Sequence, residues 1–337
     1  MISVIIPTIN DPYLKRTIDN IRRSASGEVE FIVINDGGEP FELEDDVKVI
    51  TNPVQKGRRI SINDAARIAE GEYLFIIDSH CSMSKDWDVK MMESVKEKNL
   101  VYCVIRDMNK ETWQHVPGDY MHVYMNKDFT EKWWPKKTLA QCSVEEESMC
   151  ITGCSWMVTK KRYWQLGGYD ESLGAYGWDG PEWSCKIQLS DDPGKVILRT
   201  DVICGHIFGT NNKAALYPCR MIPKGKYIDY MKNKWGDRID ALVEYFKPVP
   251  GWHSEEKKMH FRDDTGREVK LETQKTRDTK NEKGEVVKRV VEYYEYIYRD
   301  DGNGPTEEEI KEKYRDKQEL VKTETWELKD GQLQKVA

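Results

Sequence analysis

Tyr73-Leu74-Phe75-Ile76-Ile77-Asp78-Ser79-His80 is an apolar run of strand length that ends in a carboxylate, a hydroxyl and an imidazole. Such a run reads as a buried strand, and α/β sheets place their ligand-binding groups just beyond the carboxyl ends of these strands. On its N-terminal side the chain alternates between two periods. Residues 3 to 7 read as a strand, and 12 to 23 as a helix with Leu14, Ile18 and Ile21 on one face. Residues 29 to 35 form a second strand closed by Asp36-Gly37-Gly38, and 47 to 51 a third. A helix over 60 to 70, stopped by Gly71, leads into the opening stretch. This alternation predicts an α/β fold with a mainly parallel sheet and right-handed crossovers.

Asp78 and His80 both ligate divalent ions, and their i, i+2 spacing lets them reach one point where the chain bends out of the sheet. A third candidate ligand, His206, follows another apolar run, Val202-Ile203-Cys204. One oxygen and two nitrogens suit Mn²⁺ or a similar first-row ion better than Ca²⁺, which takes oxygen alone. The same triplet also reads as a strand-ending turn in which Asp78 caps the next segment.

Downstream, residues 101 to 134 turn aromatic and hairpin-like. A strand is expected over 151 to 159, a short helix over 161 to 166 ended by Gly167-Gly168, a helix over 183 to 189, and strand structure over 195 to 204. One helix is expected over 227 to 245, with Ile228, Met231, Trp235, Ile239, Leu242 and, just beyond, Phe246 on one side. Pro248-Val249-Pro250-Gly251 then punctuates the chain. Beyond Trp252 dense charge and β-branched alternation take over, with turn sequences at 263–266, 281–284 and 329–331 and a capping-box helix from Thr306 to Tyr314. The expected division is a domain over 1–250 and a small β-rich accessory region over 251–337.

The 337 residues are 39% apolar and 33% charged, with a net charge of -7. That balance gives no global nucleic-acid signature, although local basic patches remain compatible with it. No run has the length of a transmembrane span, and the chain opens directly on a strand, so a cytoplasmic protein without membrane association is expected. The eight cysteines are scattered through apolar runs, as buried reduced thiols would be. Cys150 and Cys154 lack a second close pair to complete a zinc site. Nothing in the sequence specifies an oligomeric state.

Ser3 to Thr8, Ile34-Asn35-Asp36, Tyr73 to Cys81 and Gly205-His206-Ile207-Phe208 together resemble the nucleotide-sugar glycosyltransferases of the GT-A fold, family 2. The resemblance spans roughly residues 2 to 210. Asp78-Ser79-His80-Cys81 and Cys204 to Phe208 are most similar to the polypeptide N-acetylgalactosaminyltransferase branch, which carries Asp-x-His where most relatives carry Asp-x-Asp. The resemblance implies a UDP-sugar donor and a divalent cation such as Mn²⁺, held by Asp78, His80 and His206, that neutralises the leaving diphosphate. It implies that Asp36 contacts the uracil base and that Thr8 touches base or ribose; a turn role for Asp36 before Gly37-Gly38 is the alternative. Arg58 or Arg59, after Gly57, would approach the diphosphate, or form an exposed solvated pair.

Gly167-Gly168-Tyr169-Asp170 and Gly177 to Trp183 form the acceptor-side signature, which departs from the family's Gly-Gly-Glu-Asn or Gly-Gly-Glu-Asp. Either Asp179 or Glu182 could inherit the acidic role. Following the N-acetylgalactosaminyltransferase branch, anomeric configuration is retained; an inverting enzyme would need one of the two as general base. Trp178 and Trp183 would offer flat faces to sugar or acceptor, or close the core. Lys132-Trp133-Trp134-Pro135-Lys136-Lys137, with Lys224, Lys226, Lys232 and Lys234, mixes cations and stacking faces as a nucleic-acid groove does. The expected acceptor is therefore a hydroxymethylated pyrimidine in DNA, ahead of a protein Ser/Thr hydroxyl or a glycan. A non-catalytic sugar-nucleotide-binding scaffold is the alternative outside enzymology.

Overall fold

The computed structural model describes residues 1–208, 222–252, 261–262, 268–269, 272–281, 286–296, 318–329 and 332–336. By chain contacts it divides into two compact units, Met1–His253 and Ser254–Ala337.

The first unit runs β1 (Ile2–Thr8), α1 (Leu14–Ser24), β2 (Val29–Asp36), β3 (Val47–Asn52), α2 (Arg58–Ile68), β4 (Tyr73–Ile76), β5 (Cys81–Met83), α3 (Trp87–Ser94) and β6 (Leu100–Asp107). It continues through a hairpin of β7 (Val123–Met125) and β8 (Glu131–Trp133), then β9 (Glu145–Glu147), β10 (Trp156–Thr159) and α4 (Lys160–Gln165). It ends with α5 (Asp179–Leu189), β11 (Val196–His206), α6 (Lys224–Trp235) and α7 (Ile239–Tyr245).

Nine of the described strands form one mixed sheet in the order β3-β2-β1-β4-β10-β6-β11-β5, with β9 against β11. Parallel ladders join β3, β2, β1 and β4, and β6 to β11; β10 lies antiparallel between β4 and β6. Every residue of β1 is buried, as expected of a strand covered on both faces. Leu14, Ile18 and Ile21 of α1 join one core, and Ile62, Ala65 and Ala66 of α2 join the other. The α/β reading of the first hundred residues thus corresponds to two helix layers on a parallel sheet, the GT-A arrangement.

Two expectations change. The helix expected over 227–245 is two helices, α6 and α7, because Gly236 and Asp237 are weak helix formers. Arg238 ties the break to the end of α5, donating to the Leu189 carbonyl at 2.7 Å and pairing with Asp191 at 2.9 Å. Tyr227, Met231, Trp235, Ile239 and Leu242 are nonetheless buried in one cluster, so the apolar periodicity marks the packed face across the break. The second change is that α5 begins at Asp179, four residues before the expected start.

In the second unit β12 (Phe261–Arg262) pairs with β13 (Glu268–Val269). An antiparallel sheet joins β14 (Glu272–Lys280), β15 (Val286–Tyr296), β16 (Gln318–Lys329) and β17 (Gln332–Lys335) in that order. The partners β12/β13, β14/β15 and β16/β17 flank the three expected turn sequences. The helix expected from Thr306 to Tyr314 lies outside the described residues.

Candidate functional site

Strand register brings the three expected ligands together. After β4 the chain leaves the sheet through Asp78-Ser79-His80 and re-enters as β5, which pairs antiparallel with the end of β11 so that His206 sits opposite Cys81. The amide of Ile207 donates to the carbonyl of His80 at 3.2 Å, closing the corner. β11 reaches this position through a bulge. Arg199 pairs with Cys103 and Ile203 with the next residue, Val104, so Thr200, Asp201 and Val202 have no counterparts on β6. The ligand atoms of Asp78, His80 and His206 all lie within 4.8 Å of one another.

The corner is braced from behind. Asp11 Oδ2 accepts from Ser79 Oγ at 2.6 Å and contacts His80 Nδ1 at 2.8 Å, which leaves Nε2 of His80 as its ligand atom. Thr17 of α1 donates to the Ser79 carbonyl and accepts from the Cys81 amide, at 2.9 and 3.1 Å. His206 Nε2 lies 3.3 Å from Asp78 Oδ2, and its Nδ1 is buried with no hydrogen-bond partner among the described residues. Burial pushes the Asp78 carboxyl up, but Arg58 and the two histidines outweigh it and hold it well below the usual carboxylate range. An anionic oxygen and two imidazoles, one of them with an orphaned buried nitrogen, are a donor set that fits a first-row divalent cation.

Arg58 and Arg59 are not a solvated pair. Gly57, at φ +98° and with Ala175 Cα 2.5 Å from where a Cβ would stand, starts α2 so that both guanidiniums enter the interior. Arg58 pairs with Asp78 at 2.6 Å and Asp179 at 3.0 Å and donates to the Gly153 carbonyl at 2.7 Å. Arg59, fully buried, pairs with Asp179 and Glu182, both at 3.1 Å. Glu182 is fully buried too and also binds Lys186 at 2.9 Å and the Asp170 amide at 3.1 Å. Of the two acidic candidates, Asp179 therefore reaches the cavity, and Glu182 is sealed one helical turn deeper. Burial raises the Asp179 carboxyl, with Arg59 and Arg58 opposing the shift.

Asp36 also differs from expectation. Its carboxylate is buried and accepts from Asn52 Nδ2, the Lys56 amide and the Gly57 amide at 2.9, 2.9 and 2.8 Å. It anchors the loop that launches α2 and lines neither of the two cavities at this edge of the sheet.

The larger cavity, of about 620 Å³, is walled by Arg58, Asp78, His80, Asp179 and His206 on one side and by Glu131, Lys132 and Trp133 of β8 on another. Trp178, in the left-handed region at φ 53° and stacked on Tyr227 at 4.8 Å, lines it with Tyr176. Trp183 does not: it is fully buried against Trp156 and Tyr163 and closes the core. The smaller cavity, of about 260 Å³, lies beside the corner, lined by Thr8, Asn10, Asp11 and Phe41 among others. Thr8 Oγ1 is buried there without a partner among the described residues.

Asp11 and Glu131 were missed by sequence reasoning. Asp11 carried one signal, its place three residues beyond a sheet strand; Glu131 was overshadowed by the basic residues after it. Those cations are largely engaged: Lys137 with Glu146 at 2.7 Å, Lys224 with Asp128 at 2.8 Å, Lys226 on the Ser172 carbonyl at 2.8 Å, and Lys136 over the Trp134 ring at 4.8 Å. The seven described cysteines are free thiols, six of them buried. Among the described residues no helix is long and apolar enough to cross a membrane.

Residues 3–167 match the family described as glycosyl transferase family 2. Probable N-acetylgalactosaminyltransferase 8 of Caenorhabditis elegans is 25% identical over 173 residues, covering 49% of this chain and 41% of that protein. Polypeptide N-acetylgalactosaminyltransferase 10 of Homo sapiens is 24% identical over 217 residues, covering 57% and 36%. The chain thus matches less than half the length of these relatives. The crystal structure of GalNAc-T7 with UDP, GalNAc and Mn²⁺ shares the fold at a TM-score of 0.60 and 20% identity, covering 72% of this chain and 50% of that one.

Proposed function

From a chain that carries a glycosyl transferase family 2 domain in a GT-A fold, we propose a metal-dependent glycosyltransferase that moves a sugar from a UDP-sugar to a hydroxyl acceptor. The observation that carries this reading is the convergence of Asp78, His80 and His206 on one cavity at the carboxyl edge of the sheet. The divalent cation these residues would hold supplies Lewis-acid neutralisation of the leaving diphosphate. Asp11 fixes the tautomer and orientation of His80, and Arg58 adds a fixed positive charge beside Asp78. The smaller cavity beside Thr8 suits the nucleoside, one step along the same edge from the cation corner.

The acceptor we favour is a Ser or Thr hydroxyl of a polypeptide, because the relatives are named as polypeptide N-acetylgalactosaminyltransferases. Among the lysines that suggested modified DNA, Lys137 pairs with Glu146 and Lys224 with Asp128, and Lys226 is bound to the Ser172 carbonyl, which weakens a phosphate track. With Glu182 sealed and Asp179 held between two arginines, neither is poised to take an acceptor proton, which favours retention of anomeric configuration.

The test is incubation of the chain with Mn²⁺ and labelled UDP-N-acetylgalactosamine, offering Ser/Thr peptides, hydroxymethylated DNA and oligosaccharides side by side. Label in peptide, in a linkage whose anomeric configuration matches the donor, is expected. Label in DNA alone would overturn the acceptor. UDP binding without any turnover, hydrolysis included, would point to a scaffold.

A further inference from the structure

Three carboxylates line the main cavity, and two are engaged: Asp78 with Arg58 and His206, Asp179 with Arg58 and Arg59. The third, Glu131, is different. Asp179 Oδ1 also lacks a hydrogen bond but lies 3.1 Å from Arg59, whereas Glu131 Oε2 is buried with neither a hydrogen-bond nor an ion-pair partner among the described residues. An unpartnered buried acceptor of this kind forfeits its bonds to water, so it persists where a ligand supplies the missing donor.

Its mounting is firm. Glu131 pairs with Met125 across the hairpin, and the connecting turn is held by the Asn126 amide on the Thr130 carbonyl at 2.8 Å. Tyr227 Oη donates to the Phe129 carbonyl at 2.8 Å, and Trp252 Nε1 to the Met125 carbonyl at 2.8 Å. The free acceptor is thus presented by a fixed wall rather than a loose loop.

We propose that Glu131 is a specificity-determining residue that accepts a hydrogen bond from a hydroxyl or amide N–H of the transferred sugar. This rests on the reading of the cavity as a UDP-sugar site. A carboxyl group repels the diphosphate and suits neutral donors, so its partner is the part of the ligand beyond the phosphates. The sugar is joined directly to the phosphate that meets Asp78 and the histidines, which places it in the same cavity. Burial, with Asp179 nearby, pushes this carboxyl up to about 7 against its own backbone amide and Lys132, which is what a carboxyl kept from water should do.

The experiment is calorimetric binding in Mn²⁺, without acceptor, of UDP and of UDP-N-acetylgalactosamine, UDP-N-acetylglucosamine and UDP-glucose to the wild-type chain, Glu131→Gln and Glu131→Leu. We expect Glu131→Leu to leave the Kd of UDP within about twofold and to weaken the tightest UDP-sugar about fivefold or more. Glu131→Gln, which keeps a carbonyl acceptor and nearly the same shape, should lose less. Thermal melts of both variants separate a disturbed hairpin from a lost contact. An unchanged ratio of UDP-sugar to UDP affinity in a folded Glu131→Leu overturns the inference and leaves the donor site standing; it would place Glu131 on the acceptor instead. Failure of the wild-type chain to bind either ligand overturns both.

Discussion

The two walls of the main cavity are built on opposite terms. On the sheet side Asp78, Arg58, Asp179 and Arg59 are paired charge to charge, and Asp11 and Thr17 brace the turn between β4 and β5 from behind. On the hairpin side Glu131 has an unpartnered oxygen and Trp133, about 39% exposed, shows much of its surface to solvent. A wall whose charges are paired can hold a cation and a diphosphate in the same way for any sugar. A wall with an unpaired carboxylate is complete only with the right ligand, so discrimination belongs there.

The contrast can be attacked from both sides. The largest expected effect is at the corner: His80→Ala or His206→Ala should reduce Mn²⁺-dependent turnover of a UDP-sugar by about 100-fold or more, measured by UDP release, since the ion loses one of three protein ligands. Next, Glu182→Ala should destabilise the fold by about 3–5 kcal/mol in urea unfolding, because it leaves Lys186 buried without its carboxylate and Arg59 with Asp179 alone. Asp11→Ala should weaken Mn²⁺ binding about 10- to 100-fold while the chain still melts cooperatively.

A smaller effect separates the walls by pH. Glu131 has its folded pKa raised from 4.5 to about 7 by burial first, with Asp179 adding to the shift and Lys132 opposing it. Its stability contribution is therefore fully present below about pH 4.5 and lost as pH rises through 7. Glu131→Gln, which cannot ionise, should raise the melting temperature at pH 8 and leave it unchanged at pH 4. Equal shifts at both pH values would deny the carboxylate its strained position. Smallest of all, Lys136→Ala and Lys137→Ala should leave peptide glycosylation within about twofold, because their contacts are to exposed or partly exposed neighbours.

The corner was legible because its logic is local. A buried strand that ends in Asp-x-His announces both the fold and the ligands, and His206 follows a second strand by the same rule. What remained unreadable depended on packing between distant segments. Asp179 and Glu182 stand three residues apart on α5 and share Arg59; what separates them is Arg58 reaching Asp179 at the cavity and Lys186 holding Glu182 inside. The family resemblance implied a base contact for Asp36, with a turn role as the alternative; in the fold the loop from Asn52 to Gly57 packs over it and donates to its carboxylate. Trp178 and Trp183 have the same chemistry and opposite fates, set by a left-handed residue at the start of α5.

The three unmatched residues of the β11 bulge have a bearing on how this chain can change over time. Thr200, Asp201 and Val202 set the phase of everything after them, because neighbouring side chains on a strand point to opposite faces. Loss of any one codon there would present the neighbour of His206 to Asp78 and swing the imidazole away, with no substitution at the site itself. The bulge is thus a reading frame in three dimensions, fixed in length and pinned in place: Val202 packs in the core, Thr200 binds the Ser143 carbonyl and Asp201 pairs with Arg199.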